Sequence, residues 1–209
     1  MDKKKLANAI NKAMEEKGKR KFKQSLELII NMRGIDFSKS ENRLNLDIVL
    51  PKGKGGKELK AAVFAEAAMA DAAKKAGADL IISPDKIEEY AEKSKVADLA
   101  KNYFLLAEPK LMGAVAKSCG QYLGKRGKLP KPAVGNIKGV IERSKNSVRI
   151  VSKGKYLPVA HAFIGTESMS IEDLLENAEA VYDAVKNRVK EGNIKSVYVK
   201  LTMGKPVMA

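Results

Sequence analysis

Hydrophobic positions along the chain change period twice. In residues 2–17, Leu6, Ala9, Ile10, Ala13 and Met14 recur three and four apart, the spacing of one helix face, and Gly18 stops the run. From 24 to 32 the period falls to two: Leu26, Leu28, Ile30 and Met32 share one side, while Ser25, Glu27 and Asn31 share the other. Residues 42–50 repeat the alternation with Leu44, Leu46, Ile48 and Leu50. Both segments are expected as strands of antiparallel type, packed on one face and free on the other.

The stretch Pro51 to Lys57, rich in glycine and lysine, breaks this pattern. A short buried strand is expected at 60–64, then an alanine-rich helix at 66–76 stopped by Gly77, and a strand at 79–82. Ser83 and Pro84 supply an N-cap and a first-turn proline for a helix around 87–93. A strand at 103–106 and helices near 111–118 and 137–143 follow. Short apolar strands alternating with helices describe a parallel sheet covered on both faces. Beyond Asn146 the first pattern returns, with strands at 148–151 and 159–164 and a last one at 196–202. Between them Ser170 caps a helix over 171–190, whose apolar stripe is Leu174, Leu175, Ala178, Val181, Tyr182, Val185 and Val189. The expected architecture is an α+β domain formed by both chain ends, residues 1–56 and 147–209. Inserted into it is a three-layer α/β domain of Rossmann-like type, residues 57–146. The two crossings would act as paired hinges.

Composition agrees with a globular protein, 44% hydrophobic and 31% charged. The single cysteine, Cys119, excludes an internal disulfide framework and fits a reducing cytoplasm. Met1 to Lys5 is charged, but an amphipathic stretch follows rather than the apolar core of a signal peptide. The longest small-apolar region, 61–73, is interrupted by Glu66 and Asp71, so no membrane is expected as a partner.

Charge changes the picture more. The net +15 attracts polyanions, nucleic acid ahead of acidic membrane, although a lysine coat that merely keeps the protein in solution is the plainer reading. Its distribution decides: residues 1–56 carry +7, 57–108 carry −2, 109–146 carry +8 and 147–209 carry +2. A uniform solubilising coat would not leave a mildly acidic block between two basic ones.

Gly53 to Lys57 suggests a phosphate loop, but Glu58 stands where Ser or Thr is needed and a strand follows instead of a helix. A flexible basic hinge suffices. The first strand-to-helix turn of the inserted domain, Phe64 to Ala67, holds no glycine, so a dinucleotide could not approach its backbone. His161, the only histidine, reads as a core or sheet-face residue rather than a base, and Cys119 as a packing residue. No catalytic residue, cofactor or metal ligand is expected. Tyr122 to Pro132 is a basic loop punctuated by glycine and proline. Its Lys125, Arg126, Lys128 and Lys131 could neutralise phosphates or simply be solvated, and both readings stand on sequence alone. Lys21 to Glu27 opens the first strand and Thr202 to Pro206 closes the last. Together they offer hydroxyls, a carboxylate, a ring and a glycine, groups that suit the 2′-hydroxyls of an RNA minor groove.

On three ordered motifs the sequence resembles the L-one family of large-subunit ribosomal proteins, in its archaeal branch. Lys21-Phe22 with Ser25 and Glu27 is similar to an early lysine-phenylalanine motif, and Thr202-Met203-Gly204 to a threonine-methionine-glycine motif. Leu123 to Pro132 is similar to the signature of the inserted domain, with Lys125 in place of the usual proline and Leu129 in place of a common methionine. The short amino-terminal helix and His161 to Glu167 look like the archaeal form. The resemblance implies a two-domain, cytoplasmic, ribosome-associated protein that is monomeric when free. Its partners would be large-subunit rRNA at the mobile stalk, its own mRNA leader, which it would repress, and deacylated tRNA at the exit site. RNA contacts carry over to Lys21, Phe22, Ser25, Glu27, Thr202, Met203 and Gly204, with Gly165 and Thr166 beside them. Secondary contacts fall on Lys125, Arg126, Lys128 and Lys131. The rival readings are a nonspecific basic RNA chaperone and a nucleotide-binding enzyme.

Overall fold

The structure, a computed structural model, describes residues 2–56, 60–152 and 157–209. In chain order its elements are α1 (Lys3–Met14), β1 (Ser25–Met32), β2 (Asn45–Val49), β3 (Lys60–Phe64), α2 (Ala67–Lys75), β4 (Leu80–Ile82), α3 (Lys93–Asn102) and β5 (Tyr103–Ala107). Then come α4 (Met112–Lys125), β6 (Lys131–Pro132), α5 (Ile137–Asn146), β7 (Ser147–Val151), β8 (Val159–Thr166), α6 (Ile171–Val189), β9 (Ile194–Leu201) and β10 (Val207–Met208). The chain divides into two compact units, Met1–Lys57 with Asn146–Ala209, and Glu58–Lys145. Residues 57–59, where the first crossing is expected, lie outside the described residues.

In the terminal unit the strands form an antiparallel sheet in the order β10-β9-β1-β8, and β2 and β7 form a second, two-stranded one. Helices α1 and α6 bury Leu6, Ile10, Leu174, Val181 and Val185 against Leu26, Leu28 and Ile30 of β1 and Val197 and Val199 of β9. Each such aliphatic side chain contributes roughly 1.5–3 kcal/mol by leaving water. The alternation of β1 therefore points inward as its sequence predicts. Its other face, with Glu27, Ile29 and Asn31, is only half-buried. Ser170 starts α6 as expected: its hydroxyl accepts the Asp173 N–H at 3.1 Å.

The inserted unit holds a parallel sheet in the order β4-β3-β5-β6. Phe64, Leu105, Val96, Leu99, Val115 and Cys119 pack on one face under α3 and α4; Val63, Leu106, Ala73 and Ile141 pack on the other under α2 and α5. The mixture of helix and sheet, including a parallel sheet, is as the sequence led us to expect.

Local details differ from that expectation. Ser83 and Pro84 start only a 3-10 turn, Pro84–Lys86, and a second covers Glu89–Ala91. The full helix begins later, at Lys93, because Val96, Leu99 and Ala100 supply the apolar stripe that 87–93 lacks. The expected basic loop is half helix. Val115, Cys119 and Leu123, spaced four apart, carry α4 on to Lys125, and a Cβ on Gly124 would meet nothing, so that glycine does not break it. Gly127, at φ +64°, then closes the helix, its N–H donating to Gly124 O at 2.9 Å while the Lys128 N–H donates to Leu123 O at 2.8 Å. This paired closure is the Schellman motif. Helix α1 ends at Met14, three residues early, and the two-residue strands β6 and β10 are too short to show a period.

Candidate nucleic-acid interface

The ends of three strands meet at one end of the terminal sheet. Ser25, the first residue of β1, pairs with Thr166, the last of β8, and lies beside Leu201, the last of β9. The chain just past β9 folds back onto it. The Thr202 N–H donates to Ser25 O at 3.0 Å, and its hydroxyl accepts the Ser25 N–H at 3.1 Å and donates to Ser25 O at 3.2 Å. The Gly204 N–H donates to Leu201 O at 2.9 Å and tightens the turn that presents Met203, which is 57% exposed. Phe22, 51% exposed, stands in the bend that leads into β1, next to Lys21 and Lys23.

Glu27 lies one step inward, on the half-buried face, between Phe163 of β8 and Lys200 of β9. The same face places Asn31 against Ser196, the amide donating to the hydroxyl at 3.0 Å, and His161 opposite Ile29. His161 is thus an exposed sheet-face residue. Gly165 has a packing reason of its own: a Cβ there would sit 2.5 Å from Leu174 Cδ2 and 2.7 Å from Met169 Sδ. Of the residues expected from the motifs, Ser25, Glu27, Thr166, Thr202, Met203 and Gly204 are gathered around this strand end. Lys21 and Phe22 border it in sequence.

Over its described part the glycine-rich stretch after β2 is held by hydrogen bonds. Asn177, fully buried in the middle of the α6 stripe, donates to Gly53 O at 3.0 Å and to Ile164 O at 2.9 Å, and accepts the Lys52 N–H at 2.9 Å. The Thr166 hydroxyl donates to Gly55 O at 2.8 Å, and Lys23 Nζ reaches the same carbonyl at 3.3 Å. Gly55, at φ +64°, is obligatory, because a Cβ would lie 2.5 Å from Thr166 Oγ1. Lys57, the last residue of the apparent phosphate loop, lies outside the described residues.

In the inserted unit Lys125, Arg126 and Lys128 lie at the closed end of α4, and Lys131 lies on β6. The Arg126 guanidinium stacks 4.4 Å over Tyr122, and the Lys131 ammonium lies 5.3 Å from the centre of Phe104. At the opposite edge of function, the first strand-to-helix turn, the Glu108 carboxylate accepts the Glu66 N–H at 3.2 Å, where α2 begins. Two carboxylates, Glu66 and Glu108, thus stand at the start of α2, where negative charge disfavours an anion. Burial pushes the Cys119 thiol above its ordinary value, the opposite of an activated nucleophile. Among the described residues no three metal-ligating side chains cluster, and no helix is long and apolar enough to cross a membrane.

Sequence reasoning had passed over Gln24 and Asn177. Gln24 sits inside the first motif, and Asn177 is the one polar residue within an apolar stripe, which is itself a signal.

At this strand end Ser25 and Thr166 are buried, whereas Phe22 and Met203 are exposed. The model of the ribosomal protein L1p/L10e family matches residues 10–205, and the chain belongs to that family. The large ribosomal subunit protein uL1 of Thermococcus kodakarensis is 44% identical over 99% of this chain and 97% of its own length. Its counterparts from Pyrococcus abyssi and Methanocella arvoryzae are 42% and 39% identical, each over 99% of this chain and over 95% and 99% of their own lengths. The resemblance is to the archaeal type, and the family is one of structural, non-enzymatic proteins.

Proposed function

We propose that this chain is a structural constituent of the large ribosomal subunit that binds large-subunit rRNA at the mobile stalk, near the site where deacylated tRNA leaves. Residues 1–56 and 147–209 act as the RNA-binding domain, and 57–146 as an inserted domain that makes secondary contacts. The observation that carries this reading is the strand end where Ser25, Thr166 and Thr202 are tied together, with Phe22 and Met203 left open beside them. Backbone carbonyls and hydroxyls there suit ribose hydroxyls and base edges, while Phe22 offers a stacking surface. Lys21, Lys125, Arg126, Lys128 and Lys131 neutralise phosphates and supply affinity without sequence preference. Glu27 and Gly204 complete the selective surface, with Gly165 holding the end of β8 in place. The free protein, a monomer, binds its own mRNA leader through the same surface and represses its translation.

The test is a binding series at one salt concentration with a stalk RNA hairpin, the mRNA leader and an unrelated duplex. Thr202→Ala and Met203→Asp should each weaken stalk binding by about 1–3 kcal/mol, the scale of one lost buried hydrogen bond or contact. Dissociation constants equal to wild type for both would overturn the assignment. A nonspecific chaperone would bind all three RNAs alike.

A further inference from the structure

We infer that Gln24 is a positioning residue for the RNA surface, and that it commits the Thr202–Gly204 turn to reading sugar hydroxyls and base donors rather than phosphates. The inference rests on the functional reading above. Gln24 is only 2% exposed, so it touches no RNA itself. Its side-chain oxygen accepts the Met203 N–H at 3.1 Å, its side-chain nitrogen donates to Glu16 O at 3.5 Å, and its own carbonyl accepts the Glu167 N–H at 3.0 Å. Three separate turns, after α1, after β8 and after β9, are thereby tied through one residue. The two side-chain partners have fixed polarity, a backbone N–H and a backbone carbonyl, so only an amide of this length satisfies both.

The consequence for ligand class follows by counting donors. Phosphates are held by clusters of free backbone N–H groups. In this turn the Thr202 N–H goes to Ser25 O, the Met203 N–H to Gln24 and the Gly204 N–H to Leu201 O. None of the three is left for a phosphate. One carboxylate borders the turn: a Cβ on Gly204 would lie 2.9 Å from the Glu16 carboxylate. Met203 is 57% exposed and Thr202 and Gly204 are half-buried, so what the turn would still offer a ligand is carbonyl oxygen, the remaining acceptor capacity of the Thr202 hydroxyl, and the Met203 side chain. Those groups meet 2′-hydroxyls and base amino groups.

The experiment compares the full chain with Gln24→Met, which keeps the volume and loses both hydrogen bonds, and with Thr202→Ala. Each is titrated at one salt concentration with a stalk-region rRNA hairpin and with the DNA hairpin of the same sequence. Gln24→Met should weaken RNA binding about tenfold and DNA binding far less, lowering the RNA-over-DNA preference, with the salt slope unchanged because no phosphate contact is lost. A merely structural glutamine would lower thermal stability and leave that preference intact. If Thr202→Ala lowers the preference and Gln24→Met does not, the inference fails and the strand-end reading stands. If neither lowers it, the strand-end reading itself fails. Should Gln24→Met not fold, Gln24→Glu carries the test: it keeps the acceptor for Met203, so Met203 amide exchange should remain as slow as in wild type. Fast exchange there would overturn the role.

Discussion

The strand end of the terminal unit and the helix end of the inserted unit are built on opposite plans. At the close of α4 the cations Lys125, Arg126 and Lys128 project from a hydrogen-bonded cap, in a segment, 109–146, that carries +8. Part of that charge has a structural reason, since cations at a helix carboxyl end complement its dipole. At the strand end, by contrast, hydroxyls, an amide and carbonyls are fixed by hydrogen bonds near 3 Å, with carboxylates close by. Charge acts over about a Debye length and tolerates displacement, whereas a hydrogen-bonded surface tolerates almost none. If RNA is bound as proposed, the hydrogen-bonded strand end is where selectivity is expected, and the charged helix end is where unselective affinity is expected.

The comparison breaks first if the strand end is not rigid. Asn177→Ala removes the side-chain partner of one buried carbonyl, one part-buried carbonyl and one part-buried N–H, and should cost about 2–4 kcal/mol of stability, read by chemical denaturation. A loss below about 1 kcal/mol would mean that the end of β8 and the stretch at Lys52–Gly53 are held by something else. Gly165→Ala comes next. Its Cβ must displace Leu174 and Met169 from the core, which should cost about 1–3 kcal/mol. Where amide shifts show that Thr166 has moved, stalk-RNA affinity should fall with it, and wild-type binding in that case would remove the end of β8 from the selective surface.

Much of this plan was legible in the sequence, and the part that was not has physical causes. Period-two alternation placed β1 and its buried face because a strand with one packed side must alternate. The return of the first pattern after Asn146 pointed to a pairing of the two ends, since β1 between β8 and β9 needs all three segments. The reach of α4 was misjudged because Gly120 and Gly124 look like breakers. Both lie where a side chain would meet little, so a four-residue apolar stripe outweighs them. Gln24 and Asn177 were invisible as organisers because a polar residue takes its role from partners far away along the chain: Met203 lies 179 positions from Gln24, and Lys52 lies 125 from Asn177. No local pattern records such a distance. The Gly53–Gly56 stretch looked loose for the same reason, its tethers coming from Thr166 and Asn177.

A smaller effect sharpens the other side of the comparison. Removing two cations with Lys125→Gln and Lys128→Gln should reduce the slope of log affinity against log salt by at most about 2, and weaken all RNAs alike. A change in preference between stalk RNA and control would give the inserted unit a share in selection.

The most direct test of the central claim is the ratio of affinities for the stalk hairpin and an unrelated duplex, measured at one salt concentration for wild type and Thr202→Ala. The tie between Thr202 and Ser25 predicts that this ratio falls about tenfold, roughly 1.4 kcal/mol, while affinity for the duplex stays at its wild-type value. An unchanged ratio, or an equal loss for both ligands, would contradict it.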